Sequence, residues 1–253
     1  MKSYKNLLGM GLLFLILSCG ASQTLNNRSV TILDYKIIEK KIFADSIRTE
    51  VERMDPGINK RSAERNLEAI ENPDPSFYRL TVQKNISRLS YLPPLETGEG
   101  SAFISHSTPF TRENSYKFKD SSAVYVDFNS KIAGAVMKVP NRKFQLKNVN
   151  HDTMILGKKA HLYIGKKNNE EVRAWIIDEL PNDLGIYDLY SKDGFVLAYE
   201  LIKEAEAPFQ KQIIKVYPQK LRSRAKQDIR IPSWNKEMTK QEMLKHFKIQ
   251  NKQ

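Results

Sequence analysis

The sequence predicts a mainly β fold of the α+β kind: a curled antiparallel sheet with an early helical insertion and a short C-terminal helix. From Ser76 onward, short runs rich in Val, Ile, Phe and Tyr recur with a period of two, the period of a half-buried strand. The connections between these runs are short and carry Asn, Asp, Gly and Lys, which favours hairpins. Because no strand alternates regularly with a helix, a doubly wound parallel sheet is not expected.

Nine runs are predicted as strands. They are 29–36, 76–83, 87–92, 122–129, 132–139, 160–165, 172–178, 195–202 and 211–217. The period of two also assigns faces: Val124, Val126 and Phe128 share one side of their strand, and Ala123, Tyr125 and Asp127 share the other.

Two helical segments, 44–54 and 59–71, follow the first strand. Both are rich in helix formers, and the turn at 55–57 separates them. A large one-faced sheet must bury its apolar face by curling or by packing on helices. We expect the helical insertion 44–71 to cover that face, and the capped sheet to enclose an apolar hollow suited to a lipid-like or peptide ligand.

The first twenty residues have the order of an export signal. Lys2 and Lys5 precede an uninterrupted apolar run, 7–17, which is too short to span a bilayer. The run leads into ILSCG (16–20), which resembles a bacterial lipobox whose cysteine carries a diacylglycerol. Cys19 is the only cysteine of the chain, which favours lipidation; an ordinary cleaved signal peptide is the alternative.

On this interpretation the chain has four parts. Residues 1–19 are a lipoprotein signal peptide, 20–28 a small polar tether, 29–217 the β domain with its insertion, and 218–253 a basic C-terminal segment. Such a protein is secreted across the inner membrane and anchored at the outer membrane. The lack of acidic residues directly after the cysteine favours the periplasmic side. An exported chain meets no genome, so no nucleic acid partner is expected.

Positive charge is concentrated near the C-terminus. The chain has 41 Lys and Arg against 29 Asp and Glu, a net charge of +12, and residues 211–253 hold twelve of the basic residues but three of the acidic ones. Such a segment is either a solvated tail or a contact to an anionic lipid surface or acidic partner. Within it, Thr239 and Glu242 predict a capping box. We expect the apolar face of the helix that follows, from Met243 on, to dock on the domain's own core.

The stretch 174–197 has a distinctive order of residues. It contains AW (174–175), ELP (179–181), GIY (185–187) and SKDGFV (191–196), followed by an apolar strand. In this order the chain resembles the GLPGLI family of Bacteroidota-type envelope proteins, whose naming hexapeptide falls at 191–196. The first three residues of the hexapeptide are Ser-Lys-Asp here, which marks a divergent relative.

The resemblance implies a fold and a place but no catalytic residue. It implies a curled antiparallel sheet like the half barrels of lipoprotein carriers, and association with an outer-membrane receptor or transport system. The motif residues also have a structural interpretation. Gly185 and Gly194 permit positive φ at turns, Pro181 fixes a corner, and Trp175 anchors a strand in the core, while Tyr187 completes the Gly-x-Tyr step.

The sequence contains no catalytic motif that we recognise. Neither HExxH nor GxSxG nor a Gly-rich phosphate loop occurs. The histidines are His106, His151, His161 and His246. We place His151 and Asp152 in a turn and His161 on a strand surface. Acidic neighbours such as Asp178 and Glu179 do not converge across a cleft. We therefore predict no catalytic residue, no metal ligand and no cofactor.

Three functions stay open. The favoured one is a non-enzymatic, lipid-anchored envelope protein, a binding or accessory module whose partners are the membrane, through Cys19, and an outer-membrane protein. The second is a periplasmic carrier of an apolar ligand in the hollow of the sheet. The third is a hydrolase whose site no motif reveals.

Overall fold

The computed structural model describes residues 29–93, 114–121, 123–128, 132–186, 189–225, 229–243 and 245. The predicted signal peptide, Cys19 and the tether lie outside these ranges, and so does Tyr187. Of the described residues, 57% lie in strands and 15% in helices, and the strands form a large curled but unclosed antiparallel sheet. The predicted fold class is therefore confirmed. No helix within these ranges has the length and apolar character needed to cross a membrane.

The elements of the described ranges are as follows. In chain order they are β1 Ser29–Phe43, α1 Asp45–Arg53, α2 Ile58–Glu71, β2 Ser76–Gln83, β3 Ile86–Leu92, β4 Asn114–Phe118, β5 Ala123–Asp127, β6 Ala135–Pro140, β7 Arg142–Lys143, β8 Lys147–Ile155, β9 Lys158–Lys167, β10 Glu170–Ile177, β11 Leu189–Tyr190, β12 Phe195–Glu204, β13 Phe209–Ala225 and β14 Lys236–Met238.

Twelve strands form one sheet, and β7 pairs with β11 apart from it. The order in the large sheet is β14-β6-β5-β4-β3-β2-β1-β13-β12-β10-β9-β8. Every neighbouring pair is antiparallel except β14 with β6. The longest pairing, β1 with β13, joins the two ends of the domain sequence at the middle of the sheet, from Ser29 opposite Ala225 to Phe43 opposite Phe209.

The last long strand extends beyond the predicted end at Tyr217. Asp34 pairs with Lys220 and Tyr35 with Pro218, so Gln219 is an extra residue on β13. Such a bulge shifts the alternation of faces by one residue. The period of two breaks at this point although the strand continues to Ala225, which is why the sequence pattern ends early.

Two clusters of buried apolar side chains lie on the sheet. The larger, which we call the main core, includes Leu33, Tyr35 and Leu80 together with residues of β9, β10, β12 and β13. The smaller, the second core, includes Val126 and Phe128 with residues of β6. The faces predicted for β5 are confirmed, because these two residues are buried in one cluster while Tyr125 lies on the opposite, outer face.

The helices do not cover the apolar face, contrary to the prediction. Neither α1 nor α2 has a buried residue, and Ile58 is 80% exposed. The pair adjoins the end of β1, where Glu71 accepts the backbone N–H of Phe43 at 3.1 Å and pairs with Arg48. Of the two helices, α2 contacts both α1 and this strand end.

A segment we call the strap, residues 178–194, covers the main core instead with its described residues, 178–186 and 189–194. It connects β10 to β12 and contains β11. Its apolar side chains Leu180, Leu184, Ile186 and Leu189 all belong to the main core, and Phe144 joins them. The sheet therefore buries its apolar face under its own long connection.

The C-terminal segment packs on the sheet and is not a solvated tail in its described part, 229–243. The N–H of Ile229 donates to Gln83 Oε1 at 3.2 Å, and β14 pairs with β6. The predicted capping box is present: Thr239 Oγ1 accepts the N–H of Glu242 at 3.3 Å, and Glu242 accepts the N–H of Thr239 at 2.7 Å. The N–H of Thr239, and after it the Thr239 hydroxyl, which donates to the same carboxylate at 2.8 Å, lower the pKa of Glu242. Met243 is fully buried in the second core, as predicted.

Candidate functional site

The strap and its flanking strands hold the residues of the sequence motif. Trp175 lies on β10, partly buried, and packs against the main core. Pro181 opens a tight turn, since its carbonyl accepts the N–H of Leu184 at 3.2 Å. Gly194 ends the strap immediately before β12. Tyr187 lies outside the described residues. The motif thus corresponds to the cover of the concave face.

Two buried polar side chains fasten the strap to a distant part of the sheet. Lys117 of β4 is 4% exposed, and its Nζ donates to the carbonyls of Gly185 at 3.2 Å and Leu189 at 3.5 Å. Asp183 of the strap, also 4% exposed, accepts the backbone N–H of Asp120 in the turn after β4. Irregular backbone in a core needs such partners, because an unpaired carbonyl there is costly.

These contacts run across the concave face of the sheet. β4 and β12 are separated by β3, β2, β1 and β13 in the strand order, yet the strap that begins at β10 and ends at β12 is bonded to β4. The strap therefore joins two strands that a flat sheet would hold far apart. It fixes the curl and fills the concave face at the same time.

The two motif glycines are required for different reasons. Gly194 has a φ of +151°, and a Cβ there would lie 2.6 Å from Ile176 Cγ2 and 2.7 Å from the carbonyl oxygen of Ile177. The predicted positive φ is wrong for Gly185, whose φ is not positive. A Cβ at Gly185 would meet the carbonyl oxygen of Val196 at 3.2 Å, so close packing against β12 explains this glycine.

The outer face carries an aromatic cluster that the sequence pattern did not reveal. We give this name to Tyr116, Phe118, Tyr125 and Trp234. The indole of Trp234 stacks on Tyr125 with ring centroids 5.9 Å apart, and meets Tyr116 edge-on at 5.5 Å. Its Nε1 donates to Asp127, a buried carboxylate, at 3.2 Å. The cluster secures the C-terminal segment against β4 and β5.

A second outer region, on β13, β12, β10 and β9, mixes charged pairs with partly exposed isoleucines. Lys215 pairs with Glu200 at 3.0 Å, and Glu171 pairs with Lys166 at 3.2 Å. Ile202 and Ile213 lie opposite each other between these pairs.

The structure brings one histidine and one carboxylate together. His161 Nδ1 lies 2.6 Å from Asp152 Oδ1, and Lys159 Nζ lies 2.8 Å from Asp152 Oδ2. The hydrogen bond with Lys159, and to a smaller extent that with His161, lowers the pKa of Asp152. The predicted turn at 151–152 is wrong, because both residues belong to β8. No local pattern indicates that Asp152 faces His161 on β9.

This group lies on the exposed edge strand β8, not in a cleft. In the ranges that the structure describes, no group of three or more His, Cys, Asp or Glu side chains is placed to hold a metal ion. His106 and His246 lie outside those ranges.

Comparison with known proteins gives distant structural likenesses. No family model matches the chain, and no curated protein matches it. Two solved structures of PNGF-II, in space groups P21 and C2, are 14% and 12% identical to it, with TM-scores of 0.45 and 0.47. They cover 84% and 86% of this chain. The chain spans about a third of the length of theirs, 31% and 32%. Likenesses at this level carry no argument about function.

Proposed function

We propose that the chain is a non-enzymatic, lipid-anchored envelope protein of the GLPGLI type, a binding module for an outer-membrane protein. Its lipid is attached to Cys19, and it works on the periplasmic side of the outer membrane. The observation that carries the proposal is the strap, which fills the concave face of the sheet. A partner therefore has the outer face and the rim of the sheet to bind.

The packing of the strap supports a binding module over a carrier. A carrier needs room for its ligand against the apolar face of the sheet. Here Leu184 and Ile186 of the strap, both fully buried, take that place in the main core. The outer face offers a partner both charge and apolar area, with Ile202 and Ile213 exposed in part between ion pairs. Mixed surfaces of this kind are typical of reversible protein interfaces.

The test uses the full-length chain in a Bacteroidota-type host, beside a Cys19→Ala variant. We expect mass spectrometry to find a diacylglycerol on Cys19, and fractionation to find the chain in the outer membrane. A photo-crosslinking residue in place of Ile213 should capture one outer-membrane protein. The same residue in place of Ile58, which is more exposed but lies on the helices, is the matched control and should not.

Three results would overturn the proposal. A mature chain that begins beyond Cys19 without a lipid would remove the anchor. A stoichiometric apolar molecule extracted from the purified chain would make it a carrier. Equal cross-linking from positions 213 and 58 would show that the outer face is not the binding surface.

A further inference from the structure

The hairpin of β8 and β9 ends in an unusual turn. Ile155 pairs with Lys158, so Leu156 and Gly157 form a two-residue loop. Their φ angles are +50° and +75°, both positive as in a type I′ turn. Such a turn favours Asn, Asp or Gly at its first position, because a larger L-residue is strained there.

Leucine at this position is strained and also exposed. Leu156 is 37% exposed, and Met154, two residues before it, is 67% exposed. The neighbouring hairpin, between β9 and β10, places Asn168 at a φ of +52°, which is the usual choice. The tip therefore presents apolar side chains to solvent from a backbone conformation that disfavours leucine. Neither packing nor turn geometry accounts for this residue, and strain of this kind points to function.

The hairpin that carries this tip is basic. From Lys147 to Lys167 it holds five lysines against Asp152 alone, a formal charge of +4 with neutral histidines. Lys158 and Lys159 lie beside the tip, whereas the other three lie at the far end of the two strands. Lys158 pairs with Glu179 and Lys159 with Asp152, and both pairs are partly exposed, so water and an anionic surface can compete for them.

The strand register places the tip at the end of the sheet where β1 begins. Ser29 lies opposite Ala225 at that end of β1 and β13. The antiparallel pairings can be followed from β13 across β12, β10 and β9 to the edge of the sheet. They place Phe195 of β12, Ile177 of β10 and Lys158 of β9 at this same end. The helices, with Ile58, follow the opposite end of β1. Nine residues lie between Cys19 and Ser29, and the ten residue-to-residue steps reach at most about 35 Å.

We propose that the β8–β9 tip inserts Met154 and Leu156 into the interface of an anionic membrane, with Lys158 and Lys159 against its head groups. The setting rests on the proposed lipid anchor, which would hold this end of the sheet near a membrane. An apolar tip flanked by cationic side chains is complementary to such a surface. The contact would orient the sheet with its outer face open to a protein partner.

The first experiment does not need the anchor. The mature chain carrying Cys19→Ala is mixed with vesicles of phosphatidylcholine, with or without phosphatidylglycerol, and its bound fraction is measured by co-sedimentation. We expect binding to the anionic vesicles, about tenfold weaker in Leu156→Asn because one buried leucine side chain is lost. Ile58→Asn is the matched control, since it removes an exposed apolar residue at the opposite end and should change nothing.

Leu156→Asn separates binding from folding. Asn tolerates a positive φ, so the variant should unfold at the same or a higher urea concentration than the parent chain. Loss of vesicle binding without loss of stability supports the insertion. Equal binding by Leu156→Asn and the parent chain, or no preference for anionic vesicles, overturns it, and the former would point to a protein partner at the tip.

The second experiment uses the lipidated chain from the host, reconstituted on the anionic vesicles. We expect hydrogen peroxide to oxidise Met154 severalfold more slowly than in detergent, while oxidation of Met54, beside the helices, stays unchanged. If Cys19 carries a lipid but Met154 is not protected, the insertion fails while the proposed function stands. If Cys19 carries no lipid, the proposed function fails, and the first experiment still decides the membrane contact.

Discussion

Gly194 is the residue at which backbone conformation and packing leave the least freedom. Its φ of +151° is a region that L side chains rarely adopt, and a Cβ would lie 2.7 Å from the Ile177 carbonyl oxygen. We expect Gly194→Ala to lower the free energy of unfolding by about 3 kcal/mol or more. Urea titration followed by circular dichroism measures the loss.

Gly157→Ala is the matched control for Gly194→Ala. Gly157 also has a positive φ, +75°, but nothing lies within 4 Å of an added Cβ. Its replacement should therefore cost only the conformational strain, about 1 to 2 kcal/mol. Equal losses at both positions would mean that the close approach at Gly194 does not matter.

Single residues were predictable where one local rule decides them. Thr239 and Glu242 form their capping box because both partners lie within one turn. Lys117 was not predictable, because a lysine in a strand normally points to solvent and its carbonyl partners lie 68 and 72 residues away. Gly185 was singled out correctly, but for a positive φ that it does not have. It is needed because the backbone of Val196, on β12, lies close to it, and a contact with another strand leaves no local signal in the sequence.

The strap is the element whose attachment can be tested directly. Lys117→Met keeps the length of the side chain but removes the donor to Gly185 and Leu189. We expect faster hydrogen exchange in the described strap residues 181–186 and 189–191, and a loss of about 1 to 3 kcal/mol in the free energy of unfolding.

Lys119→Met is the matched control for the strap. Lys119 lies in the exposed turn after β4, two residues from Lys117. Its replacement should change stability by less than about 0.5 kcal/mol and leave exchange in the strap unaltered. If the two variants behave alike, the buried ammonium does not hold the strap.

At the scale of elements, the sequence pattern found strands whose apolar residues alternate, and it missed β4, whose buried residues include Lys117, and the mostly exposed β8. β2 lies where it was predicted, because its apolar residues alternate regularly. β8 was missed since it is an edge strand, mostly exposed, with an irregular register between Asn148 and Asp152. The short helices were located correctly, but their packing was not, because the strap had already covered the face that they were expected to bury.

The whole molecule is held together by contacts between distant parts of the chain. β1 pairs with β13 along its full length, the strap bonds to β4, and the C-terminal segment crosses to β6. Sequence patterns predict the curled sheet, since period-two runs with short turns allow little else. They do not predict the strand order, because neither the pairing of the domain's ends nor the position of Trp234 leaves a local signal.

These long-range contacts predict that the main core and the second core unfold together. Trp234 packs on Tyr125 and donates to Asp127 on the outer face behind the second core, far along the sheet from β12. Trp234→Ala should lower the free energy of unfolding by about 2 to 4 kcal/mol, since a large, partly buried side chain is removed.

If the sheet is one cooperative unit, native-state hydrogen exchange in Trp234→Ala should show that loss in β12 as well as in β5. Ile58→Ala, on the exposed helix, should alter neither strand. Loss of protection confined to β5 and β6 would instead mean that the sheet consists of two independent halves, and that the strap and the β1–β13 pairing do not transmit stability between them.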